Sequence, residues 1–497
     1  MSNTLGALLE EGEPGAPAIV VPGRQTLTYA RLREGAARAA DDLTALGLGR
    51  GDRIALVLPN TAETIVMFLA AAAAGTAAPL NPAYKEDEFR YYLEDLEARA
   101  LVVPPGEAEA ARRARPQGCL LIEASLDASG RVVLPSAAPR RAQASPAPSA
   151  EDVALVLHTS GTTSRPKQVP LRQRNLFASA RNIAATYRLS PSDVAMCVMP
   201  LFHIHGLMAS TMATFSSGGA VVVPRAFDAM TFWPMVRDHR ATWYSAVPTM
   251  HQMLLLRNRG ERPPGAEKLR FVRSSSSALS PETMRQLESR FGAPVLEAYG
   301  MTEASHQMAS NPLPPAERRP GTVGVETGTR IAIMDEAGVT LAGGDRGEVV
   351  IQGPTVLDAY ANNAEANAKA FTHGWFRTGD QGFLDGDGYL SIVGRLKEMI
   401  NRGGEKIAPR EVDDVLLQHP AVAEAVAFGS PHPSWGEEVA AAVVLKGAVT
   451  EKELIAFARE RLADHKVPKK LYLVEKIPRT ATGKIQRRAV AEVFNNR

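Results

Sequence analysis

A strand-like apolar run that passes directly into a glycine- and hydroxyl-rich turn constrains this chain more than any other feature. Val153 to His158 has the length and composition of a buried strand. Thr159-Ser-Gly-Thr-Thr-Ser164 follows at once and is closed by Arg165-Pro166-Lys167. Gly161 permits backbone conformations that other residues resist, and clustered N–H and O–H groups can surround an anion. Lys167 adds a positive charge beside them. Thr159, Ser160, Gly161, Thr162, Thr163 and Lys167 are therefore candidate ligands of a polyphosphate. The G-x-x-x-x-G-K-[ST] spacing is absent, which argues against an ATPase of the P-loop type. Taken alone, the segment reads equally well as a polar linker.

A chain of 497 residues exceeds what one hydrophobic core supports, so two or more domains are expected. Net charge is +2 and no long basic run occurs, which argues against nucleic acid as a partner. Cys119 and Cys197 are the only cysteines; they lack metal-ligand spacing, rule against a disulfide framework and fit a reducing compartment. Ile65 to Leu80 is the most apolar stretch, but Gly75 and Thr76 interrupt it, so a buried helix is expected there rather than a membrane span. The sequence has no basic leader at its start and no peroxisomal address at its end, so the cytoplasm is the expected location.

Residues 17–104 alternate strand and helix patterns: strands near 18–21, 27–29, 52–58 and 100–103, with a helix from Tyr29 to Leu46. The rhythm predicts an α/β sheet. Ser125 to Ser149 is rich in Pro, Ala, Ser and Arg and reads as a surface connection. Alternation resumes from 153 to about 330. Beyond Arg402-Gly-Gly404 the apolar density resets, and residues 411–497 read as helix, strand, strand, helix and a basic tail. The expected architecture is a large N-terminal α/β domain of stacked sheets (1–394) and a small, mobile α+β C-terminal domain (395–497), with no internal repeats.

Further polar, glycine-bearing segments stand where strands should end. Glu297-Ala-Tyr-Gly-Met-Thr-Glu303 offers an aromatic face for a base, a hydroxyl for phosphate and a carboxylate for Mg²⁺. Trp375-Phe-Arg-Thr-Gly-Asp380 ends in an acid able to accept two ribose hydroxyls, and Arg395 and Lys484 follow in Gly394–Asn401 and Thr482–Lys484. Thr159–Lys167, Tyr299–Glu303, Arg377–Asp380, Gly394–Asn401 and Thr482–Lys484, in this order and at these separations, resemble the adenylate-forming superfamily of acyl-CoA synthetases, adenylation domains and luciferases. The resemblance spans nearly the whole chain.

The resemblance implies ATP, Mg²⁺ and CoA as cosubstrates and cofactor, and it implies a role for each matching residue. The Thr159–Lys167 loop would close on the β,γ-phosphates. Tyr299 would stack on adenine, with Glu297, Ala298, Ser277 and Ala278 around it. Thr302 would touch the α-phosphate, Glu303 would hold Mg²⁺, and Asp380 and Arg395 would bind ribose. Lys484 would neutralise charge as carboxylate attacks phosphorus. The small domain would then swing about Lys397, withdraw Lys484 and present Arg402, Gly403 and Gly404 to the pantetheine of CoA.

Thr242–Thr249, His251-Gln252, Arg273–Ser276 and Thr302–His306 look like the oxalate–CoA ligase family. That likeness implies an acid pocket lined by His203, Ser276 and His306, with His203 also at a gate position. Two imidazoles and a hydroxyl suit a small, oxygen-rich anion and not an alkyl chain, because buried polar groups would lose their partners. Rival expectations are a ligase of fatty or aryl acids, adenylation of an anion such as nitrite with transfer to an amine, and a nucleotide-binding protein without catalysis. The chain departs from the family at Gln168, Gln352 and Asp358, around the nucleotide loop and the strand leading to Asp380.

Overall fold

The computed structural model describes residues 3–24, 26–127, 132–134, 144–159, 166–258, 260–479 and 485–495. Ser160, Gly161, Thr162, Thr163 and Lys484 lie outside these residues.

Local sequence rules account for the elements that frame the site. Thr28 caps the helix Tyr29–Ala45 by accepting from the N–H of Arg31, and Leu32, Ala36, Ala39 and Leu43 bury its apolar stripe. The apolar stretch expected as one helix from Ile65 to Leu80 is two elements. The helix Ala62–Ala74 ends at Gly75, and Thr76–Pro79 is an internal sheet strand. A side chain at Gly75 would meet the carbonyls of Asp52 and Gly49, so the chain turns there against backbone that leaves no room for a Cβ. Apolar content alone does not separate a buried helix from a buried strand, and both have it here.

Three sheets make up the large part. A six-stranded sheet runs in the spatial order 168–172, 153–158, 76–79, 53–56, 100–103, 120–123. A nine-stranded sheet runs from 325–326 through 306–310, 295–301, 271–274 and 243–246 to the strands of the N-terminal segment. Its central strands are parallel, which leaves loops and strand ends together at one edge, as in other α/β folds. A third, antiparallel sheet holds Gly347–Gln352, Trp375–Leu384 and Leu390–Arg395. Helix Ala62–Ala74 is buried on nearly every face between the first two sheets.

The fourth sheet pairs Ile400–Arg402, Glu405–Ile407, Val422–His432, Gly436–Leu445 and Lys470–Val474 over its own core. The expected basic tail is instead the amphipathic helix Arg487–Asn495, which buries Val490 and Phe494 against that sheet. The basic residues at its start, Arg487 and Arg488, hide the helical period from a composition reading. Between Ser125 and Ser149, where a plain connection is expected, Ser125–Leu126 pairs with Val132–Val133.

Candidate active site

The segment from Glu297 to Glu303 is strand for most of its length. Val295–Met301 runs parallel to Phe271–Ser274 and antiparallel to His306–Ser310. Tyr299 is thereby carried to the mouth of a cleft together with Ser276, Ser277, Ala278, Glu297, Ala298, Asp380 and Arg395. All seven of the expected adenine and ribose residues other than the phosphate loop thus border one cavity. The Tyr299 hydroxyl donates to Oδ2 of Asp380, and Arg395 Nε lies 3.0 Å from Oδ1. Burial and the Asp380 charge hold the Tyr299 hydroxyl well above its usual pKa, so it stays a donor. Asp380 is therefore fixed on both sides, which leaves its remaining lone pairs to a ligand in the cleft.

Thr159 and Lys167 face each other across the phosphate-loop segment: the Thr159 N–H donates to the Lys167 carbonyl at 3.0 Å, and the Lys167 N–H to Oγ1 of Thr159 at 3.3 Å. The Lys167 ammonium stands 4.4 Å above the ring of Tyr360, whose hydroxyl donates to Oε1 of Glu303 at 2.9 Å. Burial lowers the Lys167 pKa, Glu303 opposes that shift, and the charge of Lys397 adds to it. Glu303 sits in the short turn Thr302–Ala304, which brings Thr302 beside it. No cluster of three metal-binding side chains exists among the described residues. A lone carboxylate beside a phosphate loop suits Mg²⁺, which binds one or two carboxylates plus substrate phosphates rather than a protein cage.

The residues expected to line an acid pocket fall into a polar cluster whose partners differ from the expectation. Ser276 reaches the cleft, and Nδ1 of a histidine lies 3.0 Å from its Oγ; that histidine is His205, not His203. His203 is half-buried and accepts the His205 N–H on its own Nδ1. His205 opens a π-helical turn, His205–Met212, a geometry frequent at functional sites. The His205 and His306 rings lie 4.9 Å apart, and Arg273 and Ser245 close the cluster. Ser276 and His306 both have positive φ, 71° and 108°, without being glycine. Strained backbone of this kind collects at ligand sites. Burial, with His306 and Arg273 adding to it, pushes the pKa of His205 well down, and burial with Arg273 and His203 does the same to His306, which favours the neutral form of both rings.

Sequence reasoning missed Tyr360, His205, Ser245 and the role of Arg273. Ser245 and Arg273 lie within Thr242–Thr249 and Arg273–Ser276, Tyr360 stands two residues after Asp358, and His203-Ile-His205 offered two imidazoles without a means to choose between them. The three departures have local explanations. Gln168 is buried and donates to Asp95, away from the phosphate loop. Asp358 ties Arg172 to Arg174, and Gln352 bridges Arg330 and the Gly374 carbonyl. None of the three intrudes on the cleft.

The small domain closes the open side. Arg410 donates to the Ile392 carbonyl and stands 4.0 Å from Glu297, while Arg479 and Ile485, paired in an isolated bridge, border the cleft. Arg402 faces Glu438 and the Trp435 ring instead, and Gly403 donates to the Trp435 carbonyl; with Gly404 they lie off the cleft.

Comparison with known proteins agrees with this geometry. The AMP-binding enzyme family matches residues 10–361, and the AMP-binding enzyme C-terminal domain matches residues 411–484. The oxalate–CoA ligase of Arabidopsis thaliana is 47% identical, over 99% of both chains. That of Saccharomyces cerevisiae is 46% identical, over 90% of this chain and 87% of its own. ATP-bound MatB from Rhodopseudomonas palustris superposes with a TM-score of 0.91 at 32% identity, over 100% of this chain and 99% of its own; its apo form gives 0.80. With both family domains in order, and with a cleft that gathers the residues expected to bind nucleotide, the chain belongs to the AMP-binding enzymes.

Proposed function

We propose that the protein is an AMP-forming ligase that activates a small, oxygen-rich acid of the oxalate type with ATP and passes the acyl group to CoA. The observation that carries the choice of acid is the buried polar cluster of His205, Ser245, Arg273 and His306, joined through His205 to Ser276, which borders the cleft. A small oxygen-rich anion can share hydrogen bonds with these groups, whereas an alkyl chain offers them none. The names of the Arabidopsis and yeast relatives point the same way. The explained departures remove the main support for an amine acceptor, and the shared binding cleft leaves a non-catalytic protein without an argument.

In this reading the acid's carboxylate oxygen attacks the α-phosphorus of ATP and the bond to the pyrophosphate breaks. No base is required, because the carboxylate is already ionised. Tyr299, Asp380 and Arg395 orient the nucleoside, and Thr302 and Lys167 serve the phosphates. Glu303 would hold Mg²⁺, which would supply positive charge to the phosphates. Lys484 is proposed for the developing negative charge at the α-phosphate. Thiol attack on the acyl-adenylate then expels AMP and forms the thioester. We place the domain division at 394/395 and the hinge at Lys397. Arg402, Gly403 and Gly404 are assigned to CoA, and His203 to the gate. Among the described residues no helix is long and apolar enough to cross a membrane. The two cysteines are buried and free, which supports a cytoplasmic setting.

The test is AMP release with ATP and Mg²⁺ from a panel of oxalate, malonate, nitrite, benzoates and fatty acids, each with CoA, with an aryl amine and with neither. Oxalate turnover that requires CoA is expected. Preference for a fatty acid, or amine-dependent turnover of nitrite, would overturn the reading.

A further inference from the structure

Arg273 is the feature of the acid pocket that the family roles leave unassigned. It projects from the strand Phe271–Ser274 and is fully buried. All its partners are neutral: Tyr187 and Gln307 on Nε, Ser245 and His205 on Nη1, Gln307 and His306 on Nη2. Among the described residues no carboxylate comes within ion-pair distance of it. A buried guanidinium is ordinarily matched by an anion, since desolvating an unpaired charge is costly.

A guanidinium can only donate. At 3.3 Å from Nε2 of His205 and 3.4 Å from Nδ1 of His306, it requires both ring nitrogens to be unprotonated. Ser245, 2.6 Å from the same Nε2, supplies a second donor there while accepting from Arg273 at 2.9 Å. The ring protons are then assigned by elimination. His205 carries its proton on Nδ1, where it donates to Ser276 at 3.0 Å. Ser276, so occupied as acceptor, is left with its own hydroxyl proton to give. His306 carries its proton on Nε2.

We propose that Arg273 is the positioning residue that makes this pocket selective for a small dianion: it fixes His205 as the Nδ1–H tautomer and His306 as the Nε2–H tautomer, and its buried charge, matched by no carboxylate among the described residues, favours a dianion beside those rings. The pocket then offers the N–H and O–H donors of the imidazoles and Ser276 with one positive charge behind them, which suits a dianion better than a neutral or monoanionic competitor. This rests on the small-acid reading above and extends it to a named source of selectivity.

Two measurements test it. In wild-type enzyme labelled with ¹⁵N-histidine and free of substrate, long-range ¹H–¹⁵N spectra at neutral pH should show His205 protonated on Nδ1 and His306 on Nε2, with assignments from His205→Gln and His306→Gln. Opposite tautomers, or an imidazolium at either residue, would overturn the proposal whatever the acid proves to be, and this arm needs no Arg273 variant to fold. In kinetics, Arg273→Gln should raise KM for oxalate about 100-fold or more, change KM for ATP by no more than about twofold, and reduce preference for oxalate over glyoxylate. Arg273→Lys, which keeps the charge and loses the planar fork, should recover part of the oxalate KM. An unchanged oxalate KM in Arg273→Gln would also overturn it. If the wild type ignores oxalate but shows the stated tautomers, the acid is misassigned and the role of Arg273 stands, to be read on whichever small acid is turned over.

Discussion

Glu297 is buried in the floor of the cleft, with Oε1 taking the N–H of Leu279 at 2.9 Å and Oε2 without a partner among the described residues. Burial raises its pKa from 4.5 to about 7, against the opposing pull of Arg410. Between those values the folded protein holds a proton that the unfolded chain has released. The stability this group contributes is complete below pH 4.5 and is lost as pH rises through about 7. Glu297→Gln keeps an acceptor for Leu279 and cannot ionise. Relative to wild type it should therefore gain stability from about pH 5 to pH 8, by up to about 3 kcal/mol. Urea unfolding at the two ends of that range measures this, and parallel pH profiles for the two proteins would show that the buried carboxyl is not the source. Tyr360 offers a second test. Its phenol holds Glu303, so Tyr360→Phe frees the carboxylate without emptying the core. The Mg²⁺ concentration for half-maximal AMP formation should rise, or kcat fall, by about tenfold, since removing a partner of a metal-binding group costs about 10- to 100-fold. A magnesium titration of the initial rate reads it directly.

Elements show where the sequence was legible and where it was not. Helix Pro281–Phe291 and strand Trp375–Leu384 follow from period, because each has one buried face, and strand Val153–His158 follows from a short apolar run closed by a polar turn. The stretch Ile65–Leu80 did not, since a helix and a strand buried on all sides carry the same apolar signal. The site was legible as residue types in order. The geometry that chose His205 over His203, and that joined Arg273 to both imidazoles, depends on three strands and a π-helical turn far apart in sequence, so no local pattern records it. The C-terminal helix Arg487–Asn495 is a related case, a run that reads as basic and is held by one of its arginines. Arg487 Nη2 lies 2.7 Å from Oδ2 of Asp413 on helix Pro409–Leu417, and Nε lies 3.3 Å from Glu398. Asp413 is itself buried, and burial raises its pKa despite Arg487. Arg487→Ala leaves that carboxylate without its cation and should cost about 3 kcal/mol in the small domain. Thermal unfolding followed by limited proteolysis should show cuts after residue 400 appearing first; an unchanged melting curve would mean that Asp413 is satisfied without Arg487.

At the scale of the whole molecule, the position of the small domain carries the most consequence. Arg479 and Ile485 border the nucleotide cleft while Arg402 to Gly404 are turned away from it. The better superposition on ATP-bound MatB than on its apo form, 0.91 against 0.80, fits the same arrangement. In the proposed mechanism this disposition serves adenylation, and thioester formation calls for another, in which the proposed CoA residues replace the segment that holds Lys484. The short 3₁₀ turn Leu396–Glu398 is the only covalent link between the third sheet, which ends at Arg395, and the fourth, which begins at Ile400. Lys397 is exposed in the middle of that turn, so few contacts resist its rotation. Proline at 397 fixes φ near the value a 3₁₀ turn already uses and forbids the large change that a swing demands. Lys397→Pro should hold ATP–pyrophosphate exchange within about threefold of wild type, because the first half-reaction uses the observed arrangement. Thioester formation should fall by at least about tenfold, and acyl-adenylate should accumulate on the enzyme. Rapid-quench analysis of a single turnover separates the two steps. Loss of both would mean that the Lys397 ammonium, whose charge is felt at Lys167, serves the phosphates as well as the hinge; Lys397→Ala, which removes the charge and keeps the rotation, distinguishes these roles.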